Sequence, residues 1–128
     1  MGEDDAAPTD VVERMTTRRR GPFRKVVTRE TVGLGERETV VRWLRGLHRE
    51  RNQTVTIHRP WGSVCVVADG RAPSDVMLTD GDRMWYAARP GSALPQKLPQ
   101  LTPDQVEHVM LDALASDTPP RWPEWREF

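Results

Sequence analysis

A chain of 128 residues with 37% hydrophobic and 30% charged side chains is one domain with a single modest core, too small for separate catalytic and cofactor domains. No apolar run is long enough to span a bilayer, and the acidic start does not match a signal peptide. One cysteine, Cys65, excludes an intrachain disulfide framework, so a soluble protein in a reducing cytoplasm is expected.

The formal net charge is zero, but the charge is unevenly spread. Glu3, Asp4, Asp5, Asp10 and Glu13 precede the first base. Arg14, Arg18, Arg19, Arg20, Arg24, Lys25 and Arg29 then follow without an acid. Residues 1–22 lack apolar periodicity and read as a mobile charged arm, with at most a helical turn around Val11–Met15. The folded domain is expected over residues 23–128. It opens with a β-branched edge strand from Phe23 to Val32.

Gly33-Leu34-Gly35 breaks the chain before a helix predicted from Glu36 to about Glu50. Val40, Trp43, Leu44 and Leu47 fall at i, i+3, i+4 and i+7 and make one apolar stripe. Gly46 on this helix suggests a close approach to the sheet.

Residues Thr54 to Arg89 organise the domain as a meander. Thr54–His58 alternates, Ser63–Ala68 is apolar on both sides and therefore central, and Asp75–Ala88 folds back on itself. Asp80-Gly81 supplies the positive φ of a two-residue type I′ turn, which would set Met77 opposite Met84 and Val76 opposite Trp85. Pro60-Trp61-Gly62 makes the preceding turn, and the proline-rich stretch from Pro90 to Gln100 crosses as a loop.

The last helix is signalled by a capping box, Thr102 at the N-cap and Gln105 at N3, with Pro103 at N1. Val106, Val109, Met110, Ala113 and Leu114 form its stripe, and Pro119-Pro120 stops it. An extended tail, Arg121 to Trp125, must bury at least one indole. The predicted class is α+β: four or five mainly antiparallel strands with two helices on one face.

No set of residues specifies a reaction. His48, His58 and His108 match no ligand spacing, Cys65 lies in an apolar strand, and Gly33-Leu34-Gly35 lacks the rest of a phosphate-loop motif. No catalytic, metal or cofactor-binding residue is assigned. The basic run Arg18, Arg19, Arg20, Arg24 and Lys25 can neutralise phosphates, and nucleic-acid contact through it is the competing reading. The preferred one is a self-paired arm, in which the preceding acidic stretch folds back and cancels the field.

Five tryptophans are many for this length. Trp43 belongs to the helix stripe. Arg59 with Trp61 in a tight turn, and Arg83 with Trp85 on the hairpin, combine the two residue types that anchor protein interfaces. The alternative is that turn and tail indoles fold onto the sheet as lids.

Leu101-Thr102-Pro103-Asp104-Gln105-Val106, a short helix, and then Pro119-Pro120-Arg121-Trp122-Pro123-Glu124-Trp125 resemble the C-terminal pattern of a family of bacterial immunity proteins. These neutralise polymorphic toxins, often nucleic-acid deaminases. The resemblance covers roughly residues 36–125, mostly by element order. Ser116-Asp117-Thr118 stands where the family has a glycine, and the arginine run lies outside the pattern. The resemblance implies a small α+β inhibitor that binds a cognate toxin without catalysis. A regulatory subunit would use the same tryptophans.

Overall fold

The computed structural model describes residues 8–93 and 101–128. It is an α+β fold built on one antiparallel sheet of seven strands, not four or five. The strands are β1 (Val11–Arg19), β2 (Lys25–Gly33), β3 (Gln53–Arg59), β4 (Gly62–Ala68), β5 (Val76–Asp80), β6 (Arg83–Ala88) and β7 (Glu124–Glu127). They lie in the order β2-β1-β3-β4-β5-β6-β7, so β4 is central and β2 is an edge strand, as the patterns of these segments predict.

The two additional strands come from the segments read as arm and tail. β1 is neither mobile nor helical. It pairs along its whole length with β2, from Val11↔Gly33 to Arg19↔Lys25, and on its other side with β3, from Val11↔His58 to Thr16↔Gln53. Residues 11–19 therefore belong to the domain, while residues 1–7 of the expected arm lie outside the described residues. The tail enters as β7, antiparallel to β6 from Ala88↔Glu124 to Trp85↔Glu127. Trp125 donates its indole N–H to the Pro120 carbonyl at 2.9 Å, and Trp122 stands edge-on to His108 at 6.3 Å. Both indoles are half-buried against the core.

β5 and β6 pair as a hairpin, as predicted, but not in the predicted register. Asp80 pairs with Arg83, leaving Gly81-Asp82 as the loop, so Met77 faces Tyr86 and Leu78 faces Trp85. Gly81 has φ +64 and Asp82 does not share the positive sign. That combination belongs to a type II′ turn, which needs glycine at its first central position, whereas type I′ needs positive φ at both. The register moves by two residues, so every side chain stays on its expected face. Gly62, with φ +141, follows the Pro60-Trp61 turn, and a Cβ there would lie 2.6 Å from the Thr79 carbonyl oxygen.

Strand alternation turns Val12, Val55, Ile57, Val64, Val66, Val76, Leu78 and Ala87 to one face, where all are buried. Both helices cover that face. α1 (Arg37–Gly46) contributes Val40, Trp43 and Leu44, and α2 (Pro103–Ala115) contributes Val106, Val109, Met110, Ala113 and Leu114. α1 is shorter than predicted. It tightens at Gly46 into a single 3-10 turn, Leu47–Arg49, which still buries Leu47 completely. A Cβ on Gly46 would meet nothing within 4 Å, so this glycine does not serve a close approach.

Arg45 of α1 forks onto Glu107 of α2 at 2.8 and 3.1 Å. The hydrogen bonds from Arg45 hold the Glu107 carboxyl below its ordinary pKa. At the start of α2 the capping box is complete: Gln105 N–H donates to Thr102 Oγ1 at 3.2 Å, and Thr102 N–H donates to Gln105 Oε1 at 3.0 Å. Thr102→Ala is expected to cost about 1 kcal/mol of unfolding free energy, measurable as a lower urea midpoint at unchanged slope.

Candidate binding surfaces

Arg59 and Trp61, expected at a contact surface, turn inward. The Arg59 side chain is only 8% exposed. It donates from Nη1 to the carbonyls of Ala113 and Leu114 at 2.7 and 3.2 Å and from Nε to Asp10 Oδ1 at 2.9 Å. Trp61 donates its indole N–H to the Ser116 carbonyl at 3.2 Å and packs half-buried against the core. The last carbonyls of a helix have no partner within it, and a cation there meets the negative end of the helix dipole. Arg59 and Trp61 are therefore the C-terminal cap of α2, a role set by the tertiary fold and not by local sequence.

Trp85 lies on the helix-bearing face, opposite Leu78, and is half-buried against the core. The Arg83 guanidinium sits 4.8 Å above its ring and forks onto Glu127 at 2.9 Å through both Nε and Nη2. The hydrogen bond between them raises the Arg83 pKa and lowers that of Glu127. Of the four expected contact residues only Arg83 is largely exposed, with 60% of its side chain accessible. Its bonds fasten β6 to β7. The structure places both Arg–Trp pairs at the same end of the sheet, at the β3–β4 and β5–β6 hairpins, but on the covered face.

The opposite face of the sheet is covered by neither helix. Val27, Val67, Met84 and Phe128 are 50%, 46%, 40% and 59% exposed, and the registers of β1–β2, β3–β4 and β5–β6 place the first three on this side. Phe128 continues the β7 pairing opposite Met84 and packs on Tyr86 at 5.3 Å. Between them run Met15, Thr54, Thr56, Cys65, Met77 and Thr79, all half-buried. Away from the β1–β2 hairpin, the charged groups within this face are paired on it. Arg29 donates to Glu13 at 3.3 Å, and His58 stands 3.5 Å from Glu13 and 3.0 Å from Ser63 Oγ. Burial pushes the Cys65 thiol pKa up, away from the reactive thiolate. Sequence reading assigned none of these side chains to a surface, and strand alternation was the only signal that could have sorted them. That they share one uncovered face depends on both helices packing on the other side.

The basic run is a hairpin and not an arm. Arg19 pairs with Lys25, and Arg20 N–H donates to the Arg24 carbonyl at 2.8 Å, so all five expected cations lie at one end of the sheet. Two that sequence reading missed, Arg49 and Arg51, stand beside them. Thr17, Arg18, Arg19, Arg49, Glu50, Arg51 and Asn52 line a hollow of about 400 Å³. The expected cancellation by the preceding acids does not hold for the described ones. Asp10 lies at the far end of β1, bonded to Arg59, about 25–30 Å away along an extended strand of this length.

The histidines remain apart. His48 Nδ1 hydrogen-bonds the Arg45 carbonyl at 2.9 Å, His58 is on β3, and His108 is on α2 against Trp122. Among the described residues no three His, Cys, Asp or Glu side chains gather as a metal site, and no helix is long and apolar enough to cross a membrane. No protein-family model matches this chain, and neither a curated protein nor a solved structure shows significant similarity to it.

Proposed function

We propose that this chain is a non-catalytic protein-binding module, an immunity protein that neutralises a cognate secreted toxin by direct binding. One observation carries the proposal: among the described residues, four of the five exposed large hydrophobic side chains, Val27, Val67, Met84 and Phe128, stand on the one sheet face that no helix covers. Exposed apolar side chains gathered on one face, with hydroxyls between them, are what a protein partner buries. Away from the β1–β2 hairpin the charges there are already paired within the face, so burying that part strands few unpaired ions. The resemblance of the α2 and tail motifs to toxin-immunity proteins supplies the kind of partner. Inhibition by such a module is steric: the docked face denies the toxin's substrate access to its cleft.

The contact surface is thus the open face and not the Arg59–Trp61 turn. The resemblance implies a toxin gene beside the gene for this chain, and binding to that toxin domain is the direct test. Val67→Arg places a charge on the central strand of the face without touching the core. It is expected to weaken binding at least about tenfold while leaving the melting temperature unchanged, as read by calorimetric titration and circular dichroism. Val67→Arg and Met84→Arg proteins that bind as tightly as the parent would remove this face from the interface. A neighbouring gene without secretion or toxin features, and no binding to candidate toxins, would remove the immunity reading itself.

A further inference from the structure

The hairpin that joins β1 to β2 carries a second surface, which adjoins the open face at Val27 but differs from it in chemistry. We propose that it binds single-stranded nucleic acid, with arginines holding the phosphates and Phe23 stacking on an unpaired base. This rests on charge placement, on one exposed ring and on the residues around one hollow.

Charge comes first. Arg18, Arg19, Arg20, Arg24 and Lys25 converge at the hairpin end, and Arg49 and Arg51 flank them. The acid among them is Glu50, which meets Arg18 at 3.5 Å. Among the described residues no ion pair reaches Arg19, Arg20, Arg24 or Lys25. The carboxylates on the same two strands are engaged elsewhere: Glu30 with Arg14 at 2.7 Å, and Glu13 with Arg29 at 3.3 Å. A chain with no net charge therefore presents one strongly positive end, because antiparallel pairing carries Asp10 to the other.

The ring is the second observation. Gly21, with φ +77, and Pro22 turn the chain so that Phe23 projects between Arg20 and Arg24, 99% exposed. It packs against nothing in its own fold, so folding does not account for it. An aromatic ring among guanidinium groups is a platform for nucleobases, which offer a free π-face only when unstacked. A duplex would satisfy the cations but leave the ring without a partner. A lipid surface would need more apolar neighbours of Phe23 than Pro22 and, farther along β2, Val27.

The residue type and the hollow agree. All but one of these cations are arginine, whose planar fork matches two phosphate oxygens where lysine offers a point charge. Arg18, Arg19, Arg49 and Arg51 surround the hollow of about 400 Å³, space enough for a phosphate and its sugar.

The test uses the full chain and fluorescence anisotropy with labelled oligothymidylate and oligouridylate, a duplex of equal length, and vesicles containing phosphatidylglycerol. Single strands are expected to bind at low salt. Their affinity should fall with salt at a log–log slope of about −3 to −4, as for roughly five neutralised phosphates. Arg19→Glu, Arg20→Glu and Arg24→Glu together should abolish binding. Phe23→Ala should weaken single-strand binding at least about fivefold with an unchanged thermal melt. Three results would overturn the proposal: no binding at low salt, equal binding of duplex with indifference to Phe23→Ala, or tighter binding to vesicles than to oligonucleotides. Toxin binding reports on Val67 and Met84 instead, so each proposal can fail while the other stands.

Discussion

Truncating Trp43 to alanine is expected to lower the unfolding free energy by about 4 kcal/mol. Trp43 is 5% exposed on α1, within the stripe formed with Val40, Leu44 and Leu47, and the Arg14 guanidinium lies 4.7 Å from its ring centroid. Alanine would leave an indole-sized cavity where helix and sheet meet, and would strip the half-buried Arg14 of its aromatic neighbour. Domains of this size hold about 5–15 kcal/mol in total, so the loss is a large share of the whole. Urea unfolding followed by the fluorescence of the remaining tryptophans measures it. A loss below about 1 kcal/mol would mean that the core closes over the site and that α1 is not held by its indole.

Arg59→Ala is expected to cost about 3 kcal/mol, within the range for leaving buried partners of a charged group unsatisfied. One guanidinium serves two α2 carbonyls and Asp10 from a position only 8% exposed. Removing it strands the last carbonyls of α2 and loosens the anchor at the start of β1. Arg59→Lys should recover little, since a single ammonium cannot reach the helix end and Asp10 in the same fork geometry. Hydrogen exchange at the C-terminal turn of α2 should rise in both variants. If Arg59→Ala left stability intact and instead weakened binding to a partner, the cap would be incidental and the residue would belong to an interface after all.

How much was legible in the sequence varies with the range of the interaction. The place of the β5–β6 turn (though not its type or register), the Thr102 capping box and the stripes of both helices were readable because the groups that decide them lie within a few residues of one another. The apolar run of β4 announced a central strand, and the strand is central, although its outward side, with Val67 46% exposed, is not buried. β1 was not readable. Its inward side chains are Val12, Arg14 and Thr16, a pattern too polar to signal a strand until β2 and β3 are known to pair with it on either side. β7 was missed for the same reason: four residues, Glu124–Glu127, become a strand only because β6 offers an edge.

The candidate surfaces divide along the same line. Composition and spacing by themselves determined the α+β class, with two amphipathic helices on a meander. They also determined that its arginines gather near residue 20 and that its tryptophans need partners. Only the tertiary structure decided which charges are spent and which are free. Antiparallel pairing moved Asp10 to the far end of β1, the α2 carbonyls drew Arg59 and Trp61 inward, and the packing of both helices on one side left the other side of the sheet open. Side-chain type is a property of the sequence. Whether a guanidinium caps a helix or faces solvent depends on a backbone that arrives from more than fifty residues away.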